Sequence, residues 1–302
     1  MIKLLKKIYR TSNIGQKVLF PIKWCYDFYW IHIASEESYL KRIYWLVYDH
    51  KLNLNNPRTL QEKYLWLRLN DKTKLHTLCA DKYLVRNYIK EQIGGEYLIP
   101  LLFHTADPKQ LTLENLPNIP FIIKTNHGSG GHIIVYNKAI LNYGELWKKL
   151  REALKSNIYY KSREWQYKNI KPHIIVEELL QKNNEQVLDY KFHCYNNIVN
   201  MIEVFIYAED GLKINFHTRD WERLDIRSRD TESTASTKRP KRLNTMIKLA
   251  QKLSTNFKFV KVDMYNVDGK IFFSELTFTP SMGLQGFIPD EWNLKLGNKL
   301  KL

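Results

Sequence analysis

Residues 260–283, VKVDMYNVDGKIFFSELTFTPSMG, decide how this chain is read. Val260, Val262 and Met264 alternate with Lys261 and Asp263, the period of a strand with one apolar face. Asn266 to Gly269 supply turn chemistry, and Ile271 and Phe273 then alternate with Phe272 and Ser274 before Glu275. The pattern predicts an antiparallel hairpin with Asp263 and Glu275 on neighbouring strands, facing the same side. Two carboxylates so placed repel unless a cation lies between them. Hard oxygen ligands of this kind suit Mg2+, which is held by one or two carboxylates together with substrate phosphates. For an isolated pair a surface hairpin with solvated acids is the better reading. The flanking elements decide.

Working outward, PFIIKTNHGSGGHIIVY (residues 120–136) reads as strand, loop and strand. Phe121 to Ile123 form a buried strand that ends in Lys124, and His127, Gly128, Ser129, Gly130 and Gly131 make a flexible loop. Glycines let the backbone approach phosphate, successive N–H groups cradle an anion, and Lys124 adds a point charge. HIIVEELLQ (173–181) is a buried strand ending in Glu177 and Glu178, followed by Leu179 and Leu180. Residues 187–206 form a hairpin around Asn196-Asn197, with Asp189 and Lys191 on its first strand. Residues 78–94 read as one amphipathic helix with Asp81-Lys82 near its start. Further helices are predicted at 36–50, 60–69 and 243–255, the second capped by Thr59 with Glu62 three residues on. Alone, each lysine or acid is more often solvated than functional. Their order is the signal.

A basic-x-Asp strand, a glycine turn, an acid and a proline loop, preceded by these elements, resemble the ATP-grasp superfamily. Thr277 stands where the superfamily has a metal-holding Asn, and Ser281 follows Pro280 where Gly is common. The strings NPRTLQEKYLWLRL, ADKYLVRNYI, NHGSGG, REWQYKNIKP, DYKF and ELTFTP resemble one branch, the teichuronopeptide-biosynthesis (TupA-like) family, through residues 55–302. The resemblance implies an α+β ATP-grasp fold, two α+β subdomains clamping ATP, with a helical N-terminal extension. It divides the chain into a helical region at 1–75, a lid subdomain at 76–180 with the glycine loop, and a C-terminal subdomain at 181–302. No early strand–Gly loop–helix unit occurs, a departure from many ATP-grasp enzymes.

By the same resemblance, Lys82, Lys124 and the loop from His127 to Gly131 contact the phosphates of ATP. Glu177, Glu178, Leu179 and Leu180 hold adenine, and Asp189 approaches the ribose. Mg2+ sits on Asp263, Glu275 and Thr277. Lys191 reaches the terminal or acyl phosphate. Read from its residues alone, the basic aromatic stretch 145–171 offers Arg163 to pair with a sugar carboxylate beside rings that stack, with a solvated basic helix as the alternative for part of it. The implied reaction is an ATP-dependent amide ligation through an acyl phosphate. It joins an amino acid or amine to a uronate-type carboxylate of a bacterial surface polysaccharide. A glycosyltransferase and a non-catalytic nucleotide- or glycan-binding module are the competing readings.

The chain has 302 residues and a formal net charge of +16, which points to anionic partners. No zinc-finger, RRM or helix-turn-helix signature accompanies the charge, so no nucleic-acid partner is expected. Cys25, Cys79 and Cys194 form no CxxC pair, which suits a reducing cytosol. Residues 1–24 carry Lys3, Lys6, Lys7, Arg10, Lys17 and Lys23 and no acid, and WCYDFYW follows at 24–30. Residues 1–30 therefore read in two ways: a peripheral anchor on the anionic inner face of a bacterial plasma membrane, or a helix packing its aromatics on the protein's own core.

Overall fold

The structure, a computed structural model, describes residues 13–128, 130–182, 185–208, 211–229, 231–233 and 237–302. Ser129 and residues 1–12 of the basic N-terminal stretch lie outside the described residues. Two units divide the chain, at residues 1–52 and 53–302.

In the first unit, helix α1 (Asn13–Phe28) continues through a π-turn at Tyr29–Ile33. Helix α2 (Glu36–Tyr48) starts at Ser35, whose hydroxyl accepts from the Ser38 amide at 3.1 Å, with Glu36 and Glu37 in its first turn. Arg42 donates to the Tyr26 hydroxyl at 2.9 Å and lies over the Tyr26 and Trp30 rings. Trp24, Phe28 and Tyr29 are exposed, so the aromatic run does not fill a core within this unit.

The second unit opens with α3 (Leu60–Asn70), behind the capping box that Thr59 and Glu62 predict. Two short helices follow, α4 (Lys74–Ala80) and α5 (Val85–Gln92), where the sequence reads as one. Asp81 breaks them apart: its Oδ1 accepts from the amides of Tyr83 and Leu84, a turn that competes with helix continuation. Strands β1 (Leu101–Thr105), β2 (Phe121–Thr125) and β3 (Ile133–Val135) come next. Helices α6 (Tyr143–Lys155) and α7 (Tyr159–Ser162) lead into β4 (Ile174–Glu178). These strands form an antiparallel sheet of order β1-β4-β2-β3, over a core that includes Leu111, Phe121, Ile123, Leu146 and Val176.

A small ribbon, β5 (Gln181–Lys182) with β6 (Glu185–Gln186), precedes the second sheet. That sheet contains β7 (Asp189–Tyr195), β8 (Ile198–Ala208) and β9 (Gly211–His217). After the short β10 (Arg227–Ser228) and helix α8 (Leu243–Ser254), it is completed by β11 (Phe259–Val267) and β12 (Lys270–Thr277). Its order is β12-β11-β7-β8-β9, antiparallel throughout. Strand β13 (Phe287–Ile288) and helix α9 (Glu291–Lys299) end the chain.

Alternation along the strands divides the five-stranded sheet into two faces. Phe192, Cys194, Val260, Val262 and Met264 belong to a core closed by α5 and α8, through Val85, Tyr88, Ile89, Met246, Ala250 and Leu253. Each Val, Leu, Ile, Phe or Met among them contributes roughly 1.5–3 kcal/mol on burial. Helix α5 and the end of α4, within the 76–180 region by sequence, thus place apolar residues in the core of the larger sheet. On the opposite face Tyr195, Met201 and Phe259 pack with Leu60, Tyr64, Leu67 and Leu296 from α3 and α9. A Cβ at Gly297 would lie 2.2 Å from the Arg58 carbonyl oxygen, so only glycine lets α9 approach the start of α3 this closely. The rest of that face carries Asp189, Lys191 and Asp263.

Candidate active site

Strand register sets charges in a row across four strands. Glu275 pairs with Asp263, Asp263 with Lys191, and Lys191 with Glu203. A neighbouring row runs from Thr277 through Lys261 to His193. A bulge interrupts β12 opposite Asp263 and Met264. Consecutive residues of an unbroken strand face opposite ways, yet Ser274 and Glu275 both line the same cavity. The bulge re-aims Glu275.

That cavity has a volume of about 350 Å3 and is walled by both sheets. Asp189, Lys191, Asp263 and Glu275 come from the larger sheet, while Lys124, Thr125, Gly128 and Gly130 come from the smaller sheet and its loop. Lys82 projects from the turn ahead of α5; its Nζ is 3.3 Å from Glu275 Oε2 and donates to the Gly128 carbonyl at 2.8 Å. Gly130 and Gly131 hold φ of +73° and +70°, conformations costly for other residues. Glu178, Leu179, Leu180, Val187 and Tyr207 line the more apolar end.

Lys191 Nζ lies 2.5 Å from both Asp189 Oδ2 and Asp263 Oδ2. Each aspartate keeps its other oxygen, Oδ1, buried without a hydrogen-bond partner. Burial is the largest influence on Asp263, whose carboxyl is pushed up to about 7 against the pull of Lys191 and Lys261. Burial acts upward on Glu275 too, but Lys82, Lys191 and Lys261 outweigh it and bring it down to about 2. Lys191 is opposed by burial, yet Asp263, Asp189 and Glu275 hold its ammonium well above the ordinary lysine range. Among the described residues no group of three or more His, Cys, Asp or Glu is arranged to hold a metal. Two acids and an unpaired buried oxygen do fit a divalent cation that completes its shell with phosphate oxygens.

The sequence matches the TupA-like ATPgrasp family over residues 62–301. The chain belongs to the TupA-like ATP-grasp family. Two antiparallel sheets facing one polar cavity are its ATP-grasp fold. Similar solved structures include D-alanine–D-alanine ligase from Bacillus anthracis complexed with ATP, at 15% identity and TM-score 0.42, covering 67% of this chain and 55% of that one. D-alanine–D-alanine ligase from Helicobacter pylori is 16% identical at TM-score 0.41, covering 80% and 69%. The ATP-grasp ligase PsnB complexed with minimal precursor is 11% identical at TM-score 0.41, covering 68% and 53%. The chain thus spans little more than half the length of the Bacillus anthracis ligase. Comparison with curated proteins gave no match.

Not every residue singled out in this TupA-like sequence reaches the cavity. His127 is buried with Nε2 2.8 Å from the Ser156 carbonyl oxygen and Nδ1 3.3 Å from Asn126 Oδ1, tying down the base of the loop. Glu177 is held by Arg86 at 2.9 Å and Lys124 at 3.0 Å, so its carboxylate serves an ion-pair cluster rather than the cavity lining. Thr277 lies outside the lining and donates to Glu275 Oε1 at 3.4 Å. Arg163 is buried at φ +55°, just after α7, and it too lies outside the lining.

Sequence reading misses the polar floor beside the site. Glu203 is 1% exposed, 3.0 Å from His193 Nε2 and 3.7 Å from Lys261 Nζ, and accepts from Gln285 Nε2 at 3.0 Å. Burial raises its pKa, but Lys261 and His193 outweigh burial and hold it at about 2. The available signal is an acid inside the apolar strand MIEVF (201–205), where an unpaired carboxylate would cost several kcal/mol. Asn126 is missed as well: its Oδ1 accepts from the His173 amide at 2.7 Å and its Nδ2 donates to the Lys171 carbonyl at 2.9 Å.

Proposed function

We propose that this chain is an ATP-dependent carboxylate–amine ligase that joins an acid and an amine with loss of water, converting ATP to ADP and phosphate. One observation carries the reading: the Glu275–Asp263–Lys191 row faces Lys82, Lys124 and the glycine loop across a single cavity. Three ammonium groups there suit a triphosphate, and the two acids suit Mg2+. Mg-ATP, when bound, supplies the phosphoryl group that turns the substrate carboxylate into an acyl donor.

The residues divide the remaining work. Lys82, Lys124 and Lys191 hold phosphate oxygens where charge develops, and Asp263 and Glu275 would hold the metal, with Thr277 steadying Glu275. Leu179, Leu180 and Val187 offer an apolar bed for the base, with Glu178 at its edge. Asp189, beside Lys191, orients that ammonium. Closure at Gly128 and Gly130 over bound phosphates would exclude water, which would otherwise compete with the amine. No side chain is needed as a nucleophile.

For the acceptor we propose an acidic glycan of uronate type, in bacterial surface polysaccharide assembly. The net charge of +16 supports an anionic acceptor, as does the basic stretch around Arg163. This reading places the chain in the cytoplasm, at the membrane where such polymers are built. ADP release with Mg-ATP, measured over a matrix of uronic-acid acceptors and amines, tests it. ADP formed only with both partners, and a product mass equal to their sum less one water, is expected. Turnover of a nucleotide sugar without ADP would replace the ligase by a glycosyltransferase.

A further inference from the structure

Helix α1 and its π-turn carry large apolar side chains on the outside. Val18, Phe20, Ile22, Trp24, Phe28 and Ile33 are each more than 40% exposed. Single exposed apolar residues are ordinary, but Phe20, Trp24 and Phe28 recur at every fourth residue, share one face of α1 and form a surface that calls for a partner. Trp24 and Phe28 stack at 5.4 Å, so this surface is continuous there. Within the unit, α2 meets α1 along the Tyr26 and Trp30 edge, through Arg42.

Charge selects the partner. The first 24 residues hold six Lys or Arg and no acid, and the one acid of α1, Asp27, pairs with Lys23. A second copy of the same segment would bring like charges together, whereas an anionic lipid surface attracts them. Trp and Tyr side chains favour the headgroup layer, where an apolar ring and a polar edge are both satisfied. Among the described residues no helix is long and apolar enough to cross a membrane.

We propose that residues 13–33 bind an anionic lipid surface, lying in its interfacial plane, with Phe20, Trp24 and Phe28 in the acyl boundary. This deepens the membrane placement above and does not depend on the ligase chemistry.

The test is cosedimentation of the full chain with phosphatidylcholine vesicles and with phosphatidylglycerol-rich vesicles, at low and high salt. Binding confined to the phosphatidylglycerol-rich vesicles and weakened by salt is expected. The double variant Trp24→Ser/Phe28→Ser should reduce partition about tenfold or more, since interfacial affinity scales with buried apolar area. Trp24→Phe, which keeps the apolar surface, should bind normally and lose the part of bromolipid quenching due to residue 24. Circular dichroism checks that each variant is folded. ADP release with soluble substrates, unchanged in these variants, separates this proposal from the ligase reading. Equal binding to both vesicle types, or unimpaired binding by the double variant, overturns it. So would a stable dimer that the same substitutions break, which would assign the surface to a second copy.

Discussion

Lys191 Nζ sits 2.5 Å from Asp263 Oδ2, so the aspartate nearest Glu275 already has a cation of the protein's own. Lys191 is also 2.5 Å from Asp189 and lies 4.5 Å from the centre of the Phe205 ring. A divalent ion arriving alone must compete with this ammonium, whereas one arriving with phosphates gives Lys191 new anionic partners. Lys191→Met is therefore expected to bind Mn2+ without nucleotide about tenfold or more tightly than the wild type, by removing a unit charge a few ångströms away. Electron paramagnetic resonance of bound Mn2+ reads this directly. Wild-type and variant chains with equal affinity for Mn2+ alone would refute the counter-ion role.

Glu275→Gln and Lys124→Ala should each lower ADP formation by about 10²-fold or more, the usual scale for losing one electrostatic contact to the reacting centre. Folding should be little affected by Lys124→Ala, because Arg86 remains 2.9 Å from Glu177. Near-wild-type turnover in either variant would remove that residue from the site.

Glu203 holds His193, Lys261 and Gln285 together in a dry place. Glu203→Ala leaves Lys261 without its buried counter-charge and is expected to cost about 3–5 kcal/mol in urea unfolding. Glu203→Gln, which keeps the shape, should lose less. If alanine costs no more than glutamine, the cluster is not what stabilises this end of the sheet.

His217 stacks on Trp221 at 4.2 Å, and burial, with Arg223 nearby, lowers its pKa to about 4. In the unfolded chain it titrates at 6.5. Its contribution to stability is complete above 6.5 and declines as pH falls through 4, because only the unfolded state takes up the proton in that window. A loss on the order of 2 kcal/mol is expected there. His217→Phe, which keeps the stacked ring, should flatten this part of the unfolding free energy against pH. An unchanged slope would place the proton uptake elsewhere.

Much of the fold is legible in the sequence because local rules agree with it. The turn at 266–269, the Thr59–Glu62 cap and the Asn196-Asn197 turn form as predicted, and the register sets Asp263 against Glu275. The break at Asp81 is local but subtle, since one side chain outcompetes an otherwise helical pattern. Other features depend on distant partners. Gln61 donates to the Gln285 carbonyl at 2.7 Å across 224 residues, and Gln285 in turn reaches Glu203. No periodicity announces that contact. Lys261 and Asp263 read as the open face of a half-buried strand, yet both are buried, since each lies under the rest of the second unit and finds a charged partner. The bulge at Ser274 is likewise set by pairing across the sheet rather than by its own residues.

The most direct measurement of the central claim follows an oxygen atom. A uronate acceptor labelled with 18O in its carboxylate is turned over with Mg-ATP and an amine, and the inorganic phosphate is analysed by mass spectrometry. The account predicts one 18O transferred to phosphate for each amide formed, with ADP as the other product. Amide formed with unlabelled phosphate, or label appearing in AMP, would contradict activation of the carboxylate by the terminal phosphoryl group of ATP.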